Sequence, residues 1–171
     1  MDRILVSGGA RLAGAVDVSG SKNATLALMA AALLAEGETV LRNVPRLRDV
    51  DGMLQILSAL GAHAGWDPHD DHAVRILADT VDTPEAPYEL VRKMRASFMV
   101  LGPLVARFRH GRVAEPGGCA IGVRHVDQHL KGLEALGAKV ELTHGYVECR
   151  AERRQGARVT FDVSTVTGTQ Q

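Results

Sequence analysis

Apolar positions recur along the chain at two spacings, one helical and one alternating, and they do so in a repeated order. Val50, Leu54, Leu57 and Leu60 mark one side of a predicted helix over 50–60, and Val126, Leu130, Leu133 and Leu136 mark the same side of another over 126–136. Each pattern closes on a glycine, Gly61 and Gly137, suited to a left-handed C-terminal cap. Each is followed by two short β-like runs: 63–66 and 74–77 in the first case, 139–142 and 146–150 in the second. The segments align at a constant offset of 76 residues, position 51 falling on 127 and 61 on 137, so the chain holds a duplicated unit.

A further helix precedes each of these. Residues 22–35 are rich in Ala and Leu and stop before Gly37, while 88–107 carry Leu90, Val91, Met94, Phe98 and Leu101, with Gly102-Pro103 predicting a bend. The unit reads strand, helix, strand, helix, strand, strand over about 70 to 76 residues. A third copy begins near the end, where Thr160-Phe161-Asp162-Val163-Ser164-Thr165 repeats the entry Ala15-Val16-Asp17-Val18-Ser19-Gly20. The expectation is a chain truncated in its third repeat; the other reading is a polar tail.

Composition narrows the class. The 171 residues carry 20 basic and 20 acidic side chains, and aromatics are 4%, which argues against a nucleic-acid binder. No run approaches the roughly 18 apolar residues of a membrane span, and Met1-Asp2-Arg3 opens directly into a β-like run without a signal-peptide core. Cys119 and Cys149 have neither disulfide-framework nor zinc spacing, which fits a reducing cytoplasm. Among seven histidines only His125 and His129 stand at i, i+4, without acidic partners, so no metal site is expected.

Two places suggest chemistry. Lys22 and Asn23 follow Ser19-Gly20-Ser21 at a strand-to-helix junction, where backbone N–H groups and the helix dipole favour an anion and Lys22 adds a full charge. A capped helix with a solvated lysine is the alternative. Cys119 lies in Pro116-Gly117-Gly118-Cys119-Ala120-Ile121-Gly122, a glycine-rich loop flanked by Arg112 and Arg124 that would depress its pKa toward neutrality. Cys149, in the alternating run Tyr146-Val147-Glu148-Cys149, reads as structural.

Five strings carry a family likeness: Gly20-Ser21-Lys22-Asn23-Ala24, Arg42-Asn43-Val44-Pro45, Met94-Arg95-Ala96-Ser97, Leu101-Gly102-Pro103-Leu104-Val105-Ala106-Arg107, and Pro116 through Arg124. In this order and spacing the chain resembles the UDP-N-acetylglucosamine enolpyruvyl transferases (1-carboxyvinyltransferases) along its whole length. The resemblance implies an inside-out α/β barrel built from βαβαββ repeats. Residues 1–21 would pack with a second domain, and 22–171 would supply two units and the start of a third of the catalytic domain.

It also implies a reaction: transfer of the enolpyruvyl group of phosphoenolpyruvate to the sugar 3-hydroxyl with release of phosphate, a step of peptidoglycan and cell-wall synthesis linked to cell division and shape. No cofactor is implied. Cys119 would be the general acid and the thiol alkylated by fosfomycin. Lys22 and Asn23 would contact phosphoenolpyruvate; Arg95 would contact the nucleotide sugar and Arg124 the substrate phosphates; His125, Val126, Asp127 and Gln128 would hold the uridine. Ser164, Thr165 and Val166 resemble a diphosphate-binding turn, preceded here by Val163 where many relatives have Lys. Asp127 has a duplicate in Asp51, so a helix-stabilising charge is its other reading. The sister enzymes acting on shikimate 3-phosphate lack the PGGC loop. Because several groups of the family's site lie beyond residue 171, the chain alone is expected to show negligible turnover. A truncated nucleotide-sugar-binding module, or association through the truncated edge, stands as the alternative.

Overall fold

The computed structural model describes residues 3–9, 11–92, 94–115, 126–153 and 155–161. Helix α1 (Lys22–Ala31) starts at Ser21, whose hydroxyl accepts the Ala24 N–H at 3.4 Å, and buries Thr25, Leu26, Met29 and Ala30. A 3₁₀ turn, Ala32–Leu34, finishes it and leads to β1 (Glu38–Leu41). Helix α2 (Arg48–Ala59) buries Val50, Met53, Leu54, Ile56 and Leu57, the face set by its apolar spacing, and carries Asp49 and Asp51 in its first turn. Strands β2 (His63–Trp66) and β3 (Val74–Leu77) complete an antiparallel sheet of order β1-β3-β2.

The second unit adds β4 (Glu85–Ala86), α3 (Tyr88–Val91), a 3₁₀ segment Arg95–Val100, α4 (Leu101–Phe108) and β5 (His110–Ala114). It continues with α5 (Asp127–Ala135), β6 (Lys139–Thr143) and β7 (Tyr146–Arg150). Its sheet has the order β4-β5-β7-β6, with β4 parallel to β5 and the other pairs antiparallel. The order β5-β7-β6 reproduces β1-β3-β2, so the two copies seen in sequence are two copies in space. One continuous core, from Leu26 on α1 to Cys149 on β7, joins them.

The glycines that end α2 and α5 play one role twice. Gly61 has φ +99° and Gly137 φ +95°, and a Cβ would lie 2.9 Å from the Thr80 carbonyl oxygen in one case and 2.8 Å from that of Arg153 in the other. Any side chain would meet both the backbone strain and the neighbouring strand exit.

The expected single helix over 88–107 is not one helix. The chain is broken after α3, with Met94 extended at φ −148° and ψ 116°, and resumes as the 3₁₀ segment that runs into α4. Gly102-Pro103 follows directly on the change from 3₁₀ to α geometry at Val100-Leu101. Pro103 falls in the first turn of α4, the position in a helix where proline is best tolerated. Ser97 stabilises the tight segment through its hydroxyl, which donates to the Met94 carbonyl.

Ahead of α1 the chain is extended. Ile4, Leu5, Val6, Leu12, Val16 and Val18 are each more than 80% exposed. It touches the body near Gly20, whose N–H donates to Asn43 Oδ1 at 3.2 Å and where a Cβ would stand only 1.9 Å from the Asn43 carbonyl oxygen.

Candidate functional site

Lys22 is the first residue of α1 and Asp49 the second of α2, and the two helices pack with these ends together. Lys22 Nζ lies 2.8 Å from Asp49 Oδ2, both side chains being nearly half exposed. The expected cation at the start of α1 is therefore present, and it faces a carboxylate of this chain, Asp49. Asp49 also lines a cleft of about 390 Å³ with Arg48, Asp51, Gly52, Gln55, Leu90 and Met94. Asn23 follows Lys22 on α1 and is exposed.

The same α1 packs against the 3₁₀ segment that begins with Arg95. Across that segment stands the first turn of α5, with Asp127 and Gln128, whose Nε2 donates to Asp127 Oδ2 at 3.3 Å. Between them is His129, 8% exposed, its ring centre 6.0 Å from that of Phe98. Burial, reinforced by the Arg95 charge and opposed by Asp127, holds the His129 imidazole below its ordinary pKa. Arg95 and Asp127 thus act on one buried ring, with Gln128 bonded to Asp127, and Val126 is the buried residue that precedes the helix. Cys119, Arg124, His125, Ser164, Thr165 and Val166 lie outside the described residues.

The duplicated acids are not equivalent. Asp51 Oδ1 accepts the Trp66 indole N–H at 2.9 Å, and the Arg46 guanidinium sits 4.0 Å over the Trp66 ring while bonding Asp71 at 3.0 Å. At the repeat offset, Trp66 corresponds to Leu142, which has no donor to offer. Asp51 is therefore tied into the scaffold by a contact that Asp127 lacks. This asymmetry is readable by laying the repeats side by side, and the sequence reading passed over it, as it passed over Asp49 and the burial of His129.

Two other expectations are refined. Arg112, read as a cation beside Cys119, pairs with Glu85 Oε1 at 2.8 Å and lies 4.0 Å over the Tyr146 ring, which locks its charge on the sheet. Cys149 is fully buried on β7, and desolvation, assisted by Glu134 and Glu148, pushes its thiol up to about 12. It is inert at neutral pH.

No helix of the described residues is long and apolar enough to cross a membrane. Among the described residues no group of three His, Cys, Asp or Glu side chains is placed to hold a metal ion.

Comparison with known proteins gives a consistent picture. Residues 6–171 match the family model described as EPSP synthase (3-phosphoshikimate 1-carboxyvinyltransferase). A UDP-N-acetylglucosamine 1-carboxyvinyltransferase from Myxococcus xanthus is 55% identical over 170 residues, 99% of this chain and 40% of its own length. One from Trichlorobacter lovleyi is 54% identical over 171 residues, again covering 99% of this chain and 40% of the relative. Among solved structures, the enolpyruvyl transferase NikO from Streptomyces tendae superposes with a TM-score of 0.69 at 31% identity, covering 86% of this chain and 32% of that one. The chain thus spans about 40% of the length of the curated relatives it matches.

Proposed function

This chain belongs to the EPSP synthase (3-phosphoshikimate 1-carboxyvinyltransferase) family, and from that premise we propose that it is the N-terminal part of an enzyme that transfers the enolpyruvyl group of phosphoenolpyruvate to the 3-hydroxyl of UDP-N-acetylglucosamine. The observation that carries the choice of sugar nucleotide is the 55% identity, over nearly the whole chain, to a relative named for that substrate. The string Pro116-Gly117-Gly118-Cys119 favours the same choice over shikimate 3-phosphate.

In this reading Cys119 donates its thiol proton to the methylene carbon of phosphoenolpyruvate, while a base from beyond residue 171 takes the proton of the sugar 3-hydroxyl as its oxygen bonds to the adjacent carbon. A phosphorylated tetrahedral adduct results. The Cys119 thiolate then takes back a proton from the new methyl group as the C–O bond to phosphate breaks, which restores the vinyl bond and the thiol and releases inorganic phosphate. Lys22 and Asn23 hold the phosphoenolpyruvate anion, Lys22 leaving Asp49 to do so. Arg95, Arg124, His125, Val126, Asp127 and Gln128 hold the nucleotide sugar, and Ser164, Thr165 and Val166 face its diphosphate. The packing of α1 on the 3₁₀ segment, and the action of Arg95 and Asp127 on the same His129 ring, support this division.

The same reading assigns residues 1–21 to packing against a second domain, in keeping with their exposed apolar row. It places the protein in peptidoglycan precursor synthesis in the cytoplasm, with ties to cell shape and division, and makes it a target of fosfomycin through Cys119. A polypeptide of residues 1–171 alone is expected to bind without turnover, or to associate through uncovered edges, because it spans about 40% of its catalytically named relatives.

The deciding experiment is phosphate release from phosphoenolpyruvate by the intact protein carrying this sequence. Release dependent on UDP-N-acetylglucosamine supports the reading. Release dependent on shikimate 3-phosphate instead would overturn it.

A further inference from the structure

His129 is a group that neither the motifs nor the proposed mechanism uses. It belongs to the first turns of α5, is more than nine-tenths buried, and its Nδ1 is the single buried side-chain nitrogen or oxygen among the described residues that has no hydrogen-bond partner. An unpaired polar atom in such a place costs stability, so it is retained only where something compensates. The ring is wedged against Phe98, at an interplanar angle of 46°, and so cannot turn to solvent without opening that contact. Among the described residues the charged groups acting on it are Arg95, from the 3₁₀ segment that carries Phe98, and Asp127, from its own helix.

We propose that His129 is a positioning residue that binds a proton when the diphosphate of the nucleotide sugar arrives at Arg95, and then holds Arg95 and the sugar nucleotide in register. This rests on the substrate reading above. In the free protein the neighbouring guanidinium and the apolar wall keep the imidazole neutral. A diphosphate carries two negative charges. Placed beside Arg95, it cancels the repulsion that Arg95 exerts on an imidazolium and attracts one in its own right, and the orphaned Nδ1 gains an acceptor. Ligand binding and protonation are then linked, each favouring the other.

The sign follows. Affinity is independent of pH above the raised pKa of the complex, climbs as pH falls between that value and the depressed value of the free protein, and levels again below it. Within the window the gain approaches about tenfold per pH unit. UDP-N-acetylglucosamine is a suitable probe because both its phosphates are diesters that do not titrate near neutrality; phosphoenolpyruvate and UDP do.

The test is calorimetric titration of the intact protein with UDP-N-acetylglucosamine at about pH 6.5, in buffers of different ionisation enthalpy, repeated across about pH 5.5 to 8. The wild type is expected to take up a substantial fraction of one proton per ligand. His129→Asn keeps an amide nitrogen near the Nδ1 position and is expected to bind with no uptake and a flat pH profile. Imidazole nitrogen NMR on the wild type supplies a readout independent of any variant: a neutral His129 when free, a cation when bound. Absence of proton uptake in the wild type, or unchanged uptake in His129→Asn, overturns the proposal while leaving the substrate reading intact. Failure of the wild type to bind the sugar nucleotide at all takes down both.

Discussion

Lys22 Nζ and Asp49 Oδ2 meet at 2.8 Å across the N-terminal ends of α1 and α2. The pair sets the cation in place before any ligand arrives and makes the carboxylate a competitor for it. In the intact protein, Lys22→Ala is expected to lower kcat/KM for phosphoenolpyruvate by about 100-fold or more, the scale of losing one charge-stabilising donor. Asp49→Asn is expected to act the other way, lowering KM for phosphoenolpyruvate by roughly two- to fivefold with little change in Tm, since half-exposed ion pairs contribute little to stability. A higher KM in Asp49→Asn would mean that Asp49 orients Lys22 rather than competes with the ligand.

Thiol chemistry separates the two cysteines. Fosfomycin or a small alkylating agent at neutral pH is expected to add one equivalent to the native protein, at Cys119. Cys149, buried and with its pKa near 12, reacts only after denaturation. Peptide mass mapping checks this, and native labelling of Cys149 would contradict it. Cys119→Asp is expected to retain turnover and lose alkylation.

The two repeat-related acids should give opposite phenotypes. Asp51→Asn weakens the bond from the Trp66 indole and is expected to lower Tm while leaving the affinity for UDP-N-acetylglucosamine within about twofold of wild type. Asp127→Asn is expected to weaken that affinity by about tenfold with little effect on Tm. Equal behaviour of the two variants would return Asp127 to a purely helix-stabilising charge.

Acid stability has a local origin as well. The His69 backbone N–H and the Arg75 guanidinium, 2.6 Å away, hold the Asp67 carboxyl below its ordinary pKa. A depressed carboxyl contributes stability that is complete above the unfolded-state pKa and is lost as pH falls through the lower folded value. Tm should therefore drop on acidification below the ordinary carboxylate range, and Asp67→Asn should be less stable at neutral pH with a shallower acid limb.

Gly61→Ala and Gly137→Ala should each destabilise by about 1–2 kcal/mol from the left-handed backbone alone, and more from the approach of a strand-exit carbonyl. Denaturant unfolding reads both. The near equality of the two losses would express the duplication in energetic form.

Much of this architecture could be read from the residues because repeated apolar spacing determines which faces can be buried. The face Val50-Leu54-Leu57-Leu60 is buried throughout, and on α5 Val126 and Leu133 are buried and Leu130 partly so, while Leu136 is 45% exposed; the capping glycines and the paired strands after both helices stand where the pattern places them. The segment 88–107 did not follow its pattern. Met94 faces Gly52 of α2, 3.8 Å from where a Cβ would stand, and the chain bends there to fit a neighbour distant in sequence. Local periodicity has no access to such a contact. The same limit applied to the site: a motif can name Lys22 and Arg95, but the carboxylate opposite one and the imidazole beside the other come from helices that meet only in the folded chain.

Trp66 is the chain's one tryptophan, and it is fastened to Asp51, two residues from Asp49, the partner of Lys22. Nature has thus installed an intrinsic optical reporter at the entrance of α2. Stopped-flow emission recorded without any dye would time the arrival of phosphoenolpyruvate at its lysine separately from the chemistry that follows.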